Sequence, residues 1–303
     1  MIYQNVLELI GNTKMIKLNR ISSILNNNIY AKLEGSNPFG SIKDRTALYL
    51  INNGIKDGLI NKDTIIIEST SGNTGISLAG ICLYYNLKCI IVMPENMSIE
   101  RIKIIESLKG KVILTDKYLG IEGCINKVLE LKNEYNNVFI PSQFENINNV
   151  VAHYETTGKE IYDEINDIDI LISGIGTGGT ISGCGKYLKE KSNHIKIIGV
   201  EPFESAVINN KLKGSHLIQG IGAGFIPDIL LFEYIDEVIM VKSSDAIESM
   251  KQLNNIEGIF VGISSGACYQ GLKDYIKKYN LKNKNIVIIC PDSFLKYMSI
   301  NIE

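Results

Sequence analysis

The feature that most constrains this chain is a near-continuous alternation of short β-branched apolar runs with longer amphipathic stretches. Residues 64–67, 88–93, 111–114 and 138–140 read as strands in the first half, and 169–173, 195–200, 238–241 and 285–289 in the second. Between them, 98–108, 120–134 and 245–255 carry apolar residues at helical spacing. Apolar runs closed by turn residues suit strands buried on both faces, and strand–helix alternation implies right-handed crossovers and parallel sheets. The class is therefore α/β. Two strand–loop–helix units echo each other: Glu68-Ser69-Thr70-Ser71-Gly72-Asn73-Thr74-Gly75 and Ser173-Gly174-Ile175-Gly176-Thr177-Gly178-Gly179-Thr180. They predict two α/β lobes with mostly parallel sheets flanked by helices. The smaller is expected over 35–145 and the larger over 146–303, with residues 1–34 packing on the larger. Ligands of such sheets bind at the carboxyl ends of the strands, so both loops are expected to line one cleft.

Composition removes several other classes. With 303 residues, 45% of them hydrophobic and 21% charged, the chain is neither disordered nor low-complexity. Its net charge of −2, with Lys and Arg scattered, gives no footprint for nucleic acid. No run approaches the ~18 apolar residues of a membrane span, and the start, with Glu8 and no basic segment, does not read as a secretion signal. The six cysteines form no CxxC pair, which argues against a disulfide framework or zinc and for reduced thiols in the cytoplasm.

Three motifs carry chemistry. Gly174-Ile175-Gly176-Thr177-Gly178-Gly179 fits G-x-G-x-x-G, and Glu201 lies 22 residues beyond Gly179, as in a dinucleotide fingerprint. The physics specifies less: backbone N–H groups at a glycine-rich helix start bind any phosphate. Thr177 and Thr180 add donors suited to a phosphate monoester. Gly262-Ile263-Ser264-Ser265-Gly266 fits the nucleophile elbow of hydrolases, but His153, His194 and His216 all precede Ser264, the wrong order for that triad. A turn or a secondary anion contact is the expected role of that stretch. In Asn37-Pro38-Phe39-Gly40-Ser41-Ile42-Lys43-Asp44-Arg45, Ser41 can cap a helix and place Lys43 in its first turn. There the helix dipole disfavours a cation, which gives Lys43 a reason to be neutral and nucleophilic.

Taken together, NPFGSIKDR, TSGNTGISLA, MPENMSIER, AHYETTG, SGIGTGGTISG, QGIGAGFIP, GISSGA and PDSFLKYM, in that order, resemble the pyridoxal-phosphate-dependent cysteine synthase (O-acetylserine sulfhydrylase) and cystathionine β-synthase family. The resemblance implies pyridoxal 5′-phosphate in the cleft, with Lys43 as its Schiff-base lysine. It implies a phosphate cradle of Gly176, Thr177, Gly178, Gly179 and Thr180, with Asn73 at the cofactor's ring oxygen and Ser293 at its ring nitrogen. Thr70, Ser71, Thr74 and Gln143 match positions that grip the substrate carboxylate, and Gly222 and Ala223 belong to a loop at the substrate. The implied reaction is β-replacement through an α-aminoacrylate, with cysteine synthesis from O-acetylserine and sulfide as its leading form.

The resemblance is mixed. The loop 219–227 is similar to cysteine synthases, whereas AHYETT and PDSFLKYM are more similar to cystathionine β-synthases. The alternative reaction releases hydrogen sulfide from cysteine, with a thiol or water as the incoming nucleophile. Asp228, read otherwise as a turn residue, is a candidate to activate that water or orient an incoming amine. An NAD oxidoreductase is the alternative of a different class. The family resemblance further implies a homodimer acting on small amino-acid and sulfide substrates, with no nucleic-acid or membrane partner.

Overall fold

The computed structural model describes residues 2–70 and 72–299. Its strands are β1 (Met15–Lys17), β2 (Asn28–Leu33), β3 (Ile65–Ser69), β4 (Lys88–Pro94), β5 (Lys111–Thr115), β6 (Val138–Phe139), β7 (Ile170–Gly174), β8 (Lys196–Pro202), β9 (Glu237–Val241) and β10 (Asn285–Cys290). They form a six-stranded sheet in the order β1-β2-β10-β7-β8-β9 and a four-stranded sheet in the order β5-β4-β3-β6. Every pairing between these strands is parallel except β1 with β2. The α/β class is as expected. The chain starts in the larger sheet, leaves to build the smaller one, and returns at β7.

The apolar runs have a simple physical origin. Along β7 and β10, Ile170, Ile172, Ile286 and Ile288 pack into a core with the Ile263–Tyr279 helix. The alternate residues Leu171, Val287 and Ile289 point into a second core, against Ile181, Cys184 and Leu188 of the Gly179–Lys191 helix. Successive strand side chains face opposite ways, so a strand covered on both faces must be apolar throughout. Each fully buried aliphatic side chain stabilises by roughly 1.5–3 kcal/mol. In the smaller sheet Ile66, Ile91 and Met93 pack on Ile76 and Ala79 of the Asn73–Tyr84 helix, while Ile67, Ile90 and Val92 pack on the Gly120–Glu134 helix.

Between the sheets lies a buried ionic cluster. Arg45 donates to Glu34 at 2.7 and 2.9 Å, to Glu160 at 2.6 and 2.7 Å, and to the Thr13 hydroxyl at 3.1 Å. Lys32, fully buried, donates to the Thr13 carbonyl at 2.7 Å and lies 3.0 Å from Glu160. Burial would raise the Glu34 carboxyl, but Arg45 outweighs it and holds the group below the usual carboxylate range. The cluster ties the segment before β1 to the Lys43–Lys56 helix and to the Lys159–Glu164 helix.

Candidate active site

The carboxyl ends of β3, β7 and β10 open onto one cavity of about 310 Å3, a volume typical of small-molecule sites. Lys43, Thr70, Asn73, Thr74, Gln143, Gly176, Thr177, Gly178, Thr180, Gly222 and Ala223 all line it. Ser71 lies outside the described residues.

Lys43 opens the Lys43–Lys56 helix, and its backbone N–H donates to the Ser41 hydroxyl at 3.2 Å. The turn before it is held by Asp44, whose carboxylate accepts from the Phe39 N–H at 2.7 Å and from the Ser77 hydroxyl. Burial pushes the Lys43 amine down to about 8, against the opposing influence of Asp292. A neutral amine is the nucleophilic form, so covalent capture of a carbonyl by the cofactor-free protein should speed up as pH rises through about 8 and then level off. Growth of the visible cofactor band against pH measures this. A rate still climbing beyond the ordinary lysine value of 10.5 would contradict it.

The phosphate loop is built for close approach. Gly178 has φ +85°, which favours glycine, and a Cβ on Gly176 would come within 2.4 Å of the Gly220 carbonyl. Gly179 sits behind the wall, where a Cβ would meet the Asn149 amide at 2.2 Å. Asn149, fully buried, donates to the Thr177 hydroxyl at 3.0 Å and to the Gln143 carbonyl at 2.8 Å. His153 Nε2 lies 3.2 Å from the Thr46 hydroxyl and 3.3 Å from that of Thr180. Burial, then Lys43 and Arg45, keeps this imidazole well below its usual value and neutral. Bare glycine backbone at the start of the 13-residue Gly179–Lys191 helix, with two threonine hydroxyls, fits a phosphate monoester.

Asn73 is oriented from both ends. Its amide donates to Asp292 at 2.8 Å and its carbonyl accepts from Lys296 at 3.1 Å. Thr74 donates to Gln143 Oε1 at 2.6 Å, and Gln143 Nε2 donates to the Ser69 carbonyl at 3.1 Å. Glu68, beneath them, is pushed up to about 7 by burial.

Two expected positions move. Ser293 is not on the cavity wall; its hydroxyl accepts from the Leu295 N–H at 3.4 Å and caps the Phe294–Tyr297 turn. Ser264, at the start of the Ile263–Tyr279 helix, lines the cavity beside Pro291 and was missed. Its signal is the GISSG motif, which fits no hydrolase triad and whose expected role is a turn or secondary anion contact. Asp228 is exposed and off the wall, because the Pro227–Leu230 turn carries it outward. Glu201 is committed to the chain itself: its carboxylate accepts from the backbone of Ile208 and Asn209 at 3.1 and 2.9 Å. Among the described residues the wall carries Lys43, Arg101 and Lys117 and no carboxylate.

The comparisons with known proteins agree with this geometry. Cysteine synthase B of Campylobacter jejuni is 46% identical over 302 residues, covering 99% of each chain. A solved hydrogen sulfide-producing enzyme of Fusobacterium nucleatum superposes with a TM-score of 0.95 at 47% identity, covering 98% of this chain and 100% of that one. An O-acetylserine dependent cystathionine beta-synthase of Helicobacter pylori gives 0.93 at 39% identity, covering 100% and 99%. Residues 6–292 match the model of the pyridoxal-phosphate dependent enzymes, and the chain belongs to that family.

Proposed function

We propose that this protein is a cysteine synthase, replacing the acetate of O-acetylserine with sulfide. The family and the curated relatives support β-replacement. The observation that favours sulfide over an amino-acid acceptor is the charge of the wall: Arg101 and Lys117 beside the cofactor lysine and, among the described residues, no carboxylate. Such a wall suits an incoming hydrosulfide and a departing acetate, both anions. An acceptor amino acid such as homocysteine brings an ammonium group, for which the wall offers no anionic partner.

Gly176, Thr177, Gly178, Gly179 and Thr180 would hold the cofactor phosphate, Lys43 its aldehyde and Asn73 its ring oxygen. Ser264 replaces Ser293 as the neutral hydroxyl for the ring nitrogen. When bound, the cofactor supplies an electron sink for charge developing at the substrate α-carbon. Thr70, Ser71, Thr74 and Gln143 bind the substrate carboxylate, and the Gly222-Ala223 loop closes the far side. Lys43 takes the α-proton as general base and returns it after sulfur has added to the β-carbon.

A second reading, sulfide release from cysteine, is favoured by the likeness to the Fusobacterium enzyme. It uses the same groups in the other direction. Its water-driven form has no carboxylate base among the described wall residues, since Asp228 is exposed and off the wall. The test is a panel of β-substituted alanines as donors, with sulfide, cysteine, homocysteine and water as acceptors. O-acetylserine with sulfide should exceed every other pair in kcat/KM by about tenfold or more. Faster turnover with homocysteine, or with cysteine as donor, would reverse the assignment.

The proposal extends to a cytoplasmic homodimer of lobes 35–145 and 146–303, with residues 1–34 on the second. All six cysteines are free and buried, which suits a reducing compartment. A two-fold dimer is the commonest closed assembly. Among the described residues, no helix is long and apolar enough to cross a membrane.

A further inference from the structure

Glu68 is a buried carboxylate with no part in the chemistry above, only 2% exposed at the carboxyl end of β3. Oε1 accepts the Ser69 N–H at 2.9 Å, and Oε2 accepts the Gln143 N–H at 3.3 Å. The Ser142 N–H, one residue earlier, also favours the charged form of the carboxylate. Ser142 has φ +53°, a left-handed conformation that a serine adopts only when its surroundings hold it there. Two successive N–H groups of that turn converge on one carboxylate, an arrangement that binds anions.

We infer that Glu68 is a positioning residue that sets the substrate-carboxylate site, by clamping the Ser69-Thr70 segment at the end of β3 to the Ser142-Gln143 turn after β6. The inference rests on the reading of Thr70, Thr74 and Gln143 as the carboxylate grip. The clamp fixes the Gln143 backbone; the Gln143 side chain then receives Thr74 and reaches the Ser69 carbonyl. Asn149 extends the same chain of hydrogen bonds from the Gln143 carbonyl to Thr177 in the phosphate loop. The ionised carboxylate is the form that can do this, because every contact it makes is as an acceptor. An amide of the same shape would turn one NH2 toward an N–H and leave a buried donor unsatisfied. A negative charge behind an anion site does not itself attract substrate, so geometry is the contribution that remains.

The test compares Glu68→Gln, Glu68→Asp and the reference variant Gln143→Ala as cofactor-loaded enzymes. Steady-state rates are combined with titration of the visible band by the amino-acid substrate. Glu68→Gln should raise KM and the titrated Kd for the amino acid by about tenfold. Its kcat should stay within about threefold, and its cofactor band should be unchanged. Glu68→Asp, which keeps the charge on a shorter stem, should recover part of the loss. An unchanged or lower KM in Glu68→Gln would overturn the inference. So would a parallel fall in kcat and cofactor retention without a KM change, which marks a purely structural residue. If Gln143→Ala also leaves KM unchanged, the carboxylate-grip reading itself falls, and the inference with it.

Discussion

Replacing Lys43 with alanine is expected to lower turnover by about 10³-fold or more and to remove the visible cofactor band. Both effects come from one amine placed at the first residue of its helix, half-buried and facing the cavity. Burial depresses it to about 8, so at pH 7 about a tenth is already the neutral base. Among the described wall residues the one other amine is Lys117, after β5, and the guanidinium of Arg101 stacks on Tyr297 at 5.1 Å. Alanine is well tolerated at a helix start, and the helix keeps its Ser41 contact through the backbone. Folding should therefore survive, and circular dichroism should match the parent. Kinetics and absorbance of the purified variant decide the matter. Turnover within a factor of about ten of the parent would remove Lys43 from the mechanism.

The largest expected effect on stability lies two residues further along. Arg45→Ala should cost about 3–5 kcal/mol, because it leaves the fully buried Glu34 carboxylate with Thr13 and Asn37 as hydrogen-bond donors and only the more distant charge of Lys32 to offset its burial. For a chain of this length that corresponds to a fall of roughly 10 °C in Tm. In the parent, Glu34 is held below its ordinary value of 4.5. It therefore stabilises fully above that value, and the contribution fades as pH falls through the depressed one. In the variant, burial without Arg45 raises the group, so the folded form gains protons relative to the unfolded form. The gap between the two proteins should narrow as pH is lowered. Thermal scans across the acid range measure this; a gap that is constant with pH would show that Arg45 acts through packing alone.

Much of the frame was legible because it rests on local chemistry. Doubly buried strands must be apolar, and a phosphate cradle must be glycine with hydroxyls. The spans 88–93, 111–114 and 285–289 accordingly match observed strands to within a residue. The strand β2 was missed because Lys32 interrupts it, and that lysine is fully buried only because Glu160 and the Thr13 carbonyl await it. Such partners are far away in sequence and leave no local trace. Ser293 and Ser264 show the same limit. Each is a serine beside a turn, and only the tertiary fold decides which faces the cavity and which caps a helix. Asp228 needed the direction of one turn, and Glu68 gave no signal beyond a single acid at the end of an apolar run.

The position of β10 has a consequence for biosynthesis. This strand sits at the middle of the larger sheet, between β2 and β7, although it is translated after every other described strand. The smaller sheet is available to pair roughly 10 to 30 s earlier at ordinary elongation rates. Until residues 285–290 leave the ribosome, β2 and β7 have no common neighbour and expose unpaired edges on either side of a gap. The nascent chain is thus a finished half beside an open one, and it is in that interval that aggregation and chaperone capture compete with folding.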